Sequence, residues 1–88
     1  MIRPFSAQVI PGTPLIYPIT RFWEMITIGV TPGVNGTIEV YYRLTNTTDY
    51  KIWNRGSVSV YTEGKLLSPV ESLKFVAYTS PAKIEVIL

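Results

Sequence analysis

The chain has 88 residues, of which 47% are hydrophobic and only 16% charged, with eight basic and six acidic side chains and a net charge of +2. One domain fits that length, and a composition so apolar and so poor in charge excludes a disordered chain, which needs the opposite balance. The absence of Cys and His removes disulfides, thiolate metal sites, a cysteine nucleophile and the commonest general base, so neither catalysis nor a cofactor is expected.

Along the chain the pattern has period two almost throughout, which predicts strands with one buried face. Residues 5–10 read as a short strand with Phe5, Ala7 and Val9 facing in. Residues 11–20 stand apart. Pro11, Pro14 and Pro18 deny regular pairing at three positions and favour an extended course. Leu15, Ile16, Tyr17 and Ile19 make the same segment too apolar for a solvated linker. It reads as an extended arm that lies on its own domain or on the next subunit.

Residues 21–30 carry large apolar groups on both faces, with Phe22, Ile26, Ile28 and Val30 on one and Trp23 and Met25 on the other. A strand apolar on both sides is covered on both sides, and in so small a domain a neighbouring chain is the expected second cover. Thr31 to Gly36 reads as a hairpin loop with Asn35-Gly36 as its turn signal. Residues 37–45 alternate cleanly, with Ile38, Val40, Tyr42 and Leu44 in and Glu39, Tyr41 and Arg43 out. Residues 46–56 form a long connection holding Tyr50, Lys51, Trp53 and Arg55. A strand follows over 57–61, with Val58 and Val60 in and Ser57, Ser59 and Tyr61 out, then a short turn at 62–65. Strands over 71–79, with Leu73, Phe75 and Ala77 against Ser72, Lys74, Val76 and Tyr78, and over 83–88, with Ile84, Val86 and Leu88 against Lys83, Glu85 and Ile87, are joined by a last hairpin at Ser80-Pro81. No helical rhythm with caps appears. About six strands at roughly ten-residue spacing predict an all-β domain, a small antiparallel sandwich or barrel with an extended Pro-rich N-terminal arm.

No membrane span is expected, because charge or Pro interrupts every apolar run before the roughly 20 residues a spanning helix needs. The first five residues, Met1 to Phe5, lack the apolar centre of a signal peptide. The triplets Asn35-Gly36-Thr37 and Asn46-Thr47-Thr48 have the form of glycosylation acceptors, but without a secretion signal they read as turns. Basic residues are scattered singly, so nucleic-acid binding is not expected.

The carboxylates form no catalytic pair. Glu39 and Glu85 fall on solvent faces and Glu63 in a turn, while Glu24 reads as half of a salt bridge with Arg21 or Arg43. Metal binding would need carboxylates alone, and no Asp-rich loop exists for calcium. The glycines of the 31–36 loop precede no helix and make no phosphate cradle.

Eleven aromatic residues are the one suggestive set. Tyr50 and Trp53, with Arg55 alongside, could form a platform for a sugar ring or a base. Tyr41, Tyr61 and Tyr78 fall on polar strand faces. The alternative is that Trp53 caps the open end of the sandwich and the tyrosines form a subunit interface, since interfaces favour Tyr, Trp and Arg. On that reading the interface comprises Leu15, Ile16, Tyr17, Trp23, Met25, Tyr41, Arg43, Tyr61 and Tyr78.

The stretch Ser68-Pro69-Val70-Glu71-Ser72-Leu73-Lys74-Phe75-Val76-Ala77, followed by Lys83-Ile84-Glu85-Val86-Ile87, resembles the C-terminal hairpin of short all-β virion proteins of tailed bacteriophages. A Pro-Val, a Leu-x-Phe strand and a closing Val/Ile strand recur there. The resemblance implies a non-enzymatic structural protein of the virion, in decoration, head-to-tail connection, or a fibre or spike base. It implies a homo-oligomer that also touches other virion proteins, and it transfers no catalytic residue. Size points the same way. A single small core gives only about 3–5 kcal/mol, and without disulfide or metal, oligomerisation is the device left.

Overall fold

A computed structural model describes residues 5–19, 26–44, 49–53, 56–66 and 70–87. Among them are eight strands and no helix: β1 (Phe5–Val9), β2 (Leu15–Pro18), β3 (Ile26–Thr31), β4 (Thr37–Leu44), β5 (Lys51–Ile52), β6 (Thr62–Leu66), β7 (Val70–Tyr78) and β8 (Ala82–Ile87). They form two four-stranded antiparallel sheets, ordered β1-β8-β3-β6 and β2-β7-β4-β5. The all-β expectation holds, with eight strands in place of six.

Alternation decides the core. Ile26, Ile28 and Val30 of β3 and Ile84 and Val86 of β8 line the inner side of the first sheet. Ile38 and Val40 of β4 and Leu73, Phe75 and Ala77 of β7 line the second. All ten belong to one buried cluster between the sheets. The register keeps them together: Ile38 faces Ala77, Val40 faces Phe75 and Ile28 faces Val86.

The order in each sheet is that of a jelly roll, the eight-stranded double Greek key. Of the consecutive strands, only β4 and β5 pair with each other. The turns at 31–36 and 80–81, expected to close hairpins, instead pass the chain from one sheet to the other. Turn chemistry marks where a strand stops; it does not choose the next partner. The two turns pack on each other. A Cβ at Gly33 would stand 2.3 Å from the Pro81 carbonyl oxygen, and Ser80 Oγ donates to the Val34 carbonyl at 2.6 Å.

Three other expectations change. Leu15–Pro18 of the supposed arm is strand β2, paired along one side with β7. Pro14 and Pro18 bracket it at the sheet border, where a missing N–H costs no ladder bond. It is reached through a tight turn in which the Thr13 N–H donates to Ile10 O at 3.0 Å. Pro11 and Gly12, with φ +86°, occupy its centre, the combination a type II turn needs. The supposed turn at 62–65 is β6, paired with β3. Its polar sequence suits a border strand, and Gly64 is required by a ring packed on it. Finally, the expected strand at 57–61 reduces to one bridge between Val58 and Ile38, with Val60 exposed rather than inward.

Candidate functional site

The outer face of the second sheet collects most of the chemistry. Reading across β2, β7, β4 and β5, one transverse row is Ile16, Lys74, Tyr41 and Ile52. The next is Pro18, Ser72 and Arg43, and on the other side lies the pair Val76 and Glu39. Same-face neighbours in such rows interact directly.

Glu39 is the hub of the lower part. Its Oε1 accepts from Tyr78 at 2.7 Å and from Tyr41 at 2.8 Å. Its Oε2 accepts from Ser57 at 3.2 Å. The Tyr78 and Tyr41 bonds hold the carboxyl below its ordinary value, against the opposing effect of burial. The same bond to Glu39, with burial behind it, pushes Tyr41 up to about 12. Tyr78 is raised for the same first reason. A carboxylate so satisfied is a fixed acceptor that positions two rings, and a poor base.

The upper part centres on Tyr50. Its hydroxyl is 2.8 Å from Ser72 Oγ, which explains how an outward-facing serine is buried. The Arg43 guanidinium carbon lies 5.8 Å from the Tyr50 ring centre, and the Lys74 ammonium 5.7 Å. Lys74 is also 5.9 Å from the Tyr41 ring centre. One cation therefore sits within cation–π range of two rings. Arg43 also meets Glu71 at 3.0 Å. The pairing of β4 with β7 slips between Arg43 and Leu44, so Glu71 and Ser72 together oppose Arg43. A bulge commonly re-aims a side chain in this way.

Trp53 does not join this face. Ile52 stands opposite Tyr41 on the outside, so the next residue turns inward. The Trp53 N–H donates to Val40 O at 2.8 Å, and the half-buried indole packs against the core. A Cβ at Gly64 would stand 2.6 Å from Trp53 Cζ2. The indole thus bridges the β5 border of one sheet and the β6 border of the other. The opposite seam, between β1 and β2, is closed by Phe5 stacked on Tyr17, ring centres 4.5 Å apart.

The residues expected at an interface are thereby divided. Tyr41, Arg43 and Tyr78 come together on the second sheet, with Ile16. Leu15 and Tyr17 pack against the chain's own core instead. Tyr61 is exposed on the other side of the molecule, over Gly29 of β3, donating to Glu63 at 3.0 Å. Trp23, Met25 and Arg55, with Glu24, lie outside the described residues. Of the described members of the supposed ligand platform, Tyr50 stands on the outer face and Trp53 is turned inward. Ile52 and Lys74 were missed as site residues. The alternation of β7 already put Lys74 outward, but the row that joins it to Tyr41 needs the β4–β7 register.

No protein family, curated protein or solved structure matches this chain. Among the described residues no three His, Cys, Asp or Glu side chains gather as a metal site. No helix among them is long and apolar enough to cross a membrane.

Proposed function

We propose that the chain is a non-enzymatic structural subunit of a bacteriophage particle, in decoration, head-to-tail connection, or a fibre or spike base. It acts by protein–protein contact and assembles with copies of itself and with other virion proteins. One observation carries the docking part. All three tyrosine hydroxyls on the second sheet's outer face are already bonded, Tyr41 and Tyr78 to Glu39 and Tyr50 to Ser72. What the face offers a partner is ring carbon, the aliphatic Ile16 and Ile52, and two cations held over rings. Aromatic and Arg-rich surfaces with apolar anchors are what protein interfaces select. The jelly-roll order is shared by capsid subunits, lectins and cupins. It agrees with the virion reading, whose specific support is the resemblance over residues 68–87.

A glycan-binding module is the second reading, favoured by Tyr50 beside Arg43 and Lys74. It loses Trp53, which is turned inward. Static light scattering of the purified chain, with and without Ile16→Asp and Ile52→Asp, separates the readings. A subunit self-associates and the aspartates cut its assembly back to a dimer or below. A glycan module stays monomeric and is retained on a glycan array.

A further inference from the structure

Among the described residues the two sheets have four borders, β1 and β6 in the first and β2 and β5 in the second. Proteins blunt such borders with proline, charge, glycine kinks or shortness, because a row of unpaired N–H and C=O groups invites another strand. Three of the four carry such a device. Within their own residues, β2 ends at Pro18, β5 has two residues, and β6 alternates Glu63, Gly64 and Lys65. The fourth, β1, reads Phe-Ser-Ala-Gln-Val and has no charge, proline or glycine.

We propose that β1 is where a second copy of this chain adds, antiparallel and two-fold symmetric about Ala7. The joint would fuse two four-stranded first sheets into one continuous sheet. The proposal rests on the assembly reading above and names one of its contacts. Centring on Ala7 pairs the whole strand, with Ser6 opposite the partner's Gln8 and Phe5 opposite the partner's Val9. Ser6 and Gln8 are exposed and neutral, so nothing repels at the joint.

The neighbouring strand fixes the direction. On β8, Lys83 stands beside Gln8 and Glu85 beside Ser6. In the antiparallel joint each row runs Lys83, Gln8, the partner's Ser6, the partner's Glu85, with a cation at one end and a carboxylate at the other. A parallel joint in register would put Lys83 and the partner's Lys83 at the two ends of one row, and Glu85 and the partner's Glu85 at the two ends of the next. Charge complementarity therefore biases the joint toward the antiparallel pairing, across two intervening strands. Inside, Phe5 and Val9 continue the apolar layer across the joint, with the small Ala7 on the axis.

The chain has no Cys, so introduced thiols report alone. Ser6→Cys and Gln8→Cys variants are refolded separately and as an equimolar mixture, then mildly oxidised. Directly opposed residues lie within disulfide reach, whereas diagonal ones about 7–8 Å apart do not. The mixture should give a covalent dimer approaching half of the protein, at least tenfold more than either variant alone. Circular dichroism of each variant should match the parent, because both side chains point to solvent. Equal cross-linking in the single variants would overturn the proposal. So would an oligomeric parent whose mixture fails to cross-link, which leaves the assembly reading standing on another surface. A parent that scatters as a monomer at every concentration overturns both.

Discussion

The two outer faces of this sandwich follow the same alternation and are finished differently. On the first sheet the outward residues are Ser6, Gln8, Thr27, Gly29, Thr31, Glu63, Lys65, Lys83, Glu85 and Ile87, mostly short or charged, with Gly29 standing between Glu63 and Glu85 and Tyr61 lying over it. On the second they are Ile16, Pro18, Tyr41, Ile52, Val76 and Tyr78, with Arg43 and Lys74 among them and with Thr37, Glu39 and Ser72 as the small or acidic members. The first face is solved by water. The second keeps its charges over rings and its hydroxyls bonded inward, leaving carbon outward. Period two says which residues leave the core. The chemistry of those residues says whether they meet water or a partner.

The comparison presupposes two sheets closed on one core, and the most disruptive change should be to the seam that closes them. Trp53→Ala should cost about 2–4 kcal/mol, a half-buried indole sitting at or below the usual range for buried aromatics. Chemical denaturation reads it directly. Gly64→Ala should cost about 1–3 kcal/mol, because its Cβ meets the rigid Trp53 ring at 2.6 Å. A Gly64→Ala chain as stable as the parent would mean the indole is not lodged there.

Next comes the contrast of faces itself. Ile16→Asp with Ile52→Asp should weaken self-association at least 100-fold, about 2.7 kcal/mol, while leaving the melting temperature of the dilute protein nearly unchanged. Thr27→Asp with Thr31→Asp on the first face should leave both self-association and melting temperature nearly unchanged. Equal losses from both pairs would erase the distinction.

The glycines give a smaller version of the same contrast. Gly29 lies under Tyr61 on the solvated face, where a Cβ would make ordinary contact at 3.5 Å with the hydroxyl. Glycine in a strand interior costs about 0.5–1 kcal/mol relative to alanine. Gly29→Ala should therefore be neutral to slightly stabilising, opposite in sign to Gly64→Ala.

The smallest effect is electrostatic. The folded Glu39 carboxyl is held below its ordinary value of 4.5, so its contribution is present above that value and is lost as pH falls through the lower, folded one. Acid unfolding below pH 4.5 should be shallower in Glu39→Gln. At the other end, Tyr41 titrates near 12 instead of 10. Stability linked to it is intact below 10 and lost as pH rises toward 12. Ultraviolet titration of Glu39→Gln should return Tyr41 toward 10; an unchanged curve would break the assignment of Glu39 as hub.

Much of the fold was legible. The inward sets of β3, β4, β7 and β8 follow from alternation alone, and so does the all-β class. What alternation could not supply was partnership. Asn35-Gly36 and Ser80-Pro81 carry hairpin chemistry, yet each joins strands of different sheets, a choice made by long-range pairing. β6 was hidden because Thr-Glu-Gly-Lys is turn-like in composition. Only the ring of Trp53, distant in sequence, explains its glycine. The face was half legible: Tyr41, Arg43 and Tyr78 were readable as outward residues, but Tyr61 looked identical and landed on the other sheet. Lys74 and Ile52 became part of the site only through register.

The central claim is that the second sheet's outer face docks protein. Light scattering of the purified chain from about 1 to 500 µM, with Ile16→Asp/Ile52→Asp and Thr27→Asp/Thr31→Asp in parallel, tests it most directly. The account predicts a parent mass that rises well above a dimer, a Thr27/Thr31 variant that follows it, and an Ile16/Ile52 variant that stops at a dimer or below. A parent that stays monomeric throughout, or an Ile16/Ile52 variant that assembles like the parent, would contradict it.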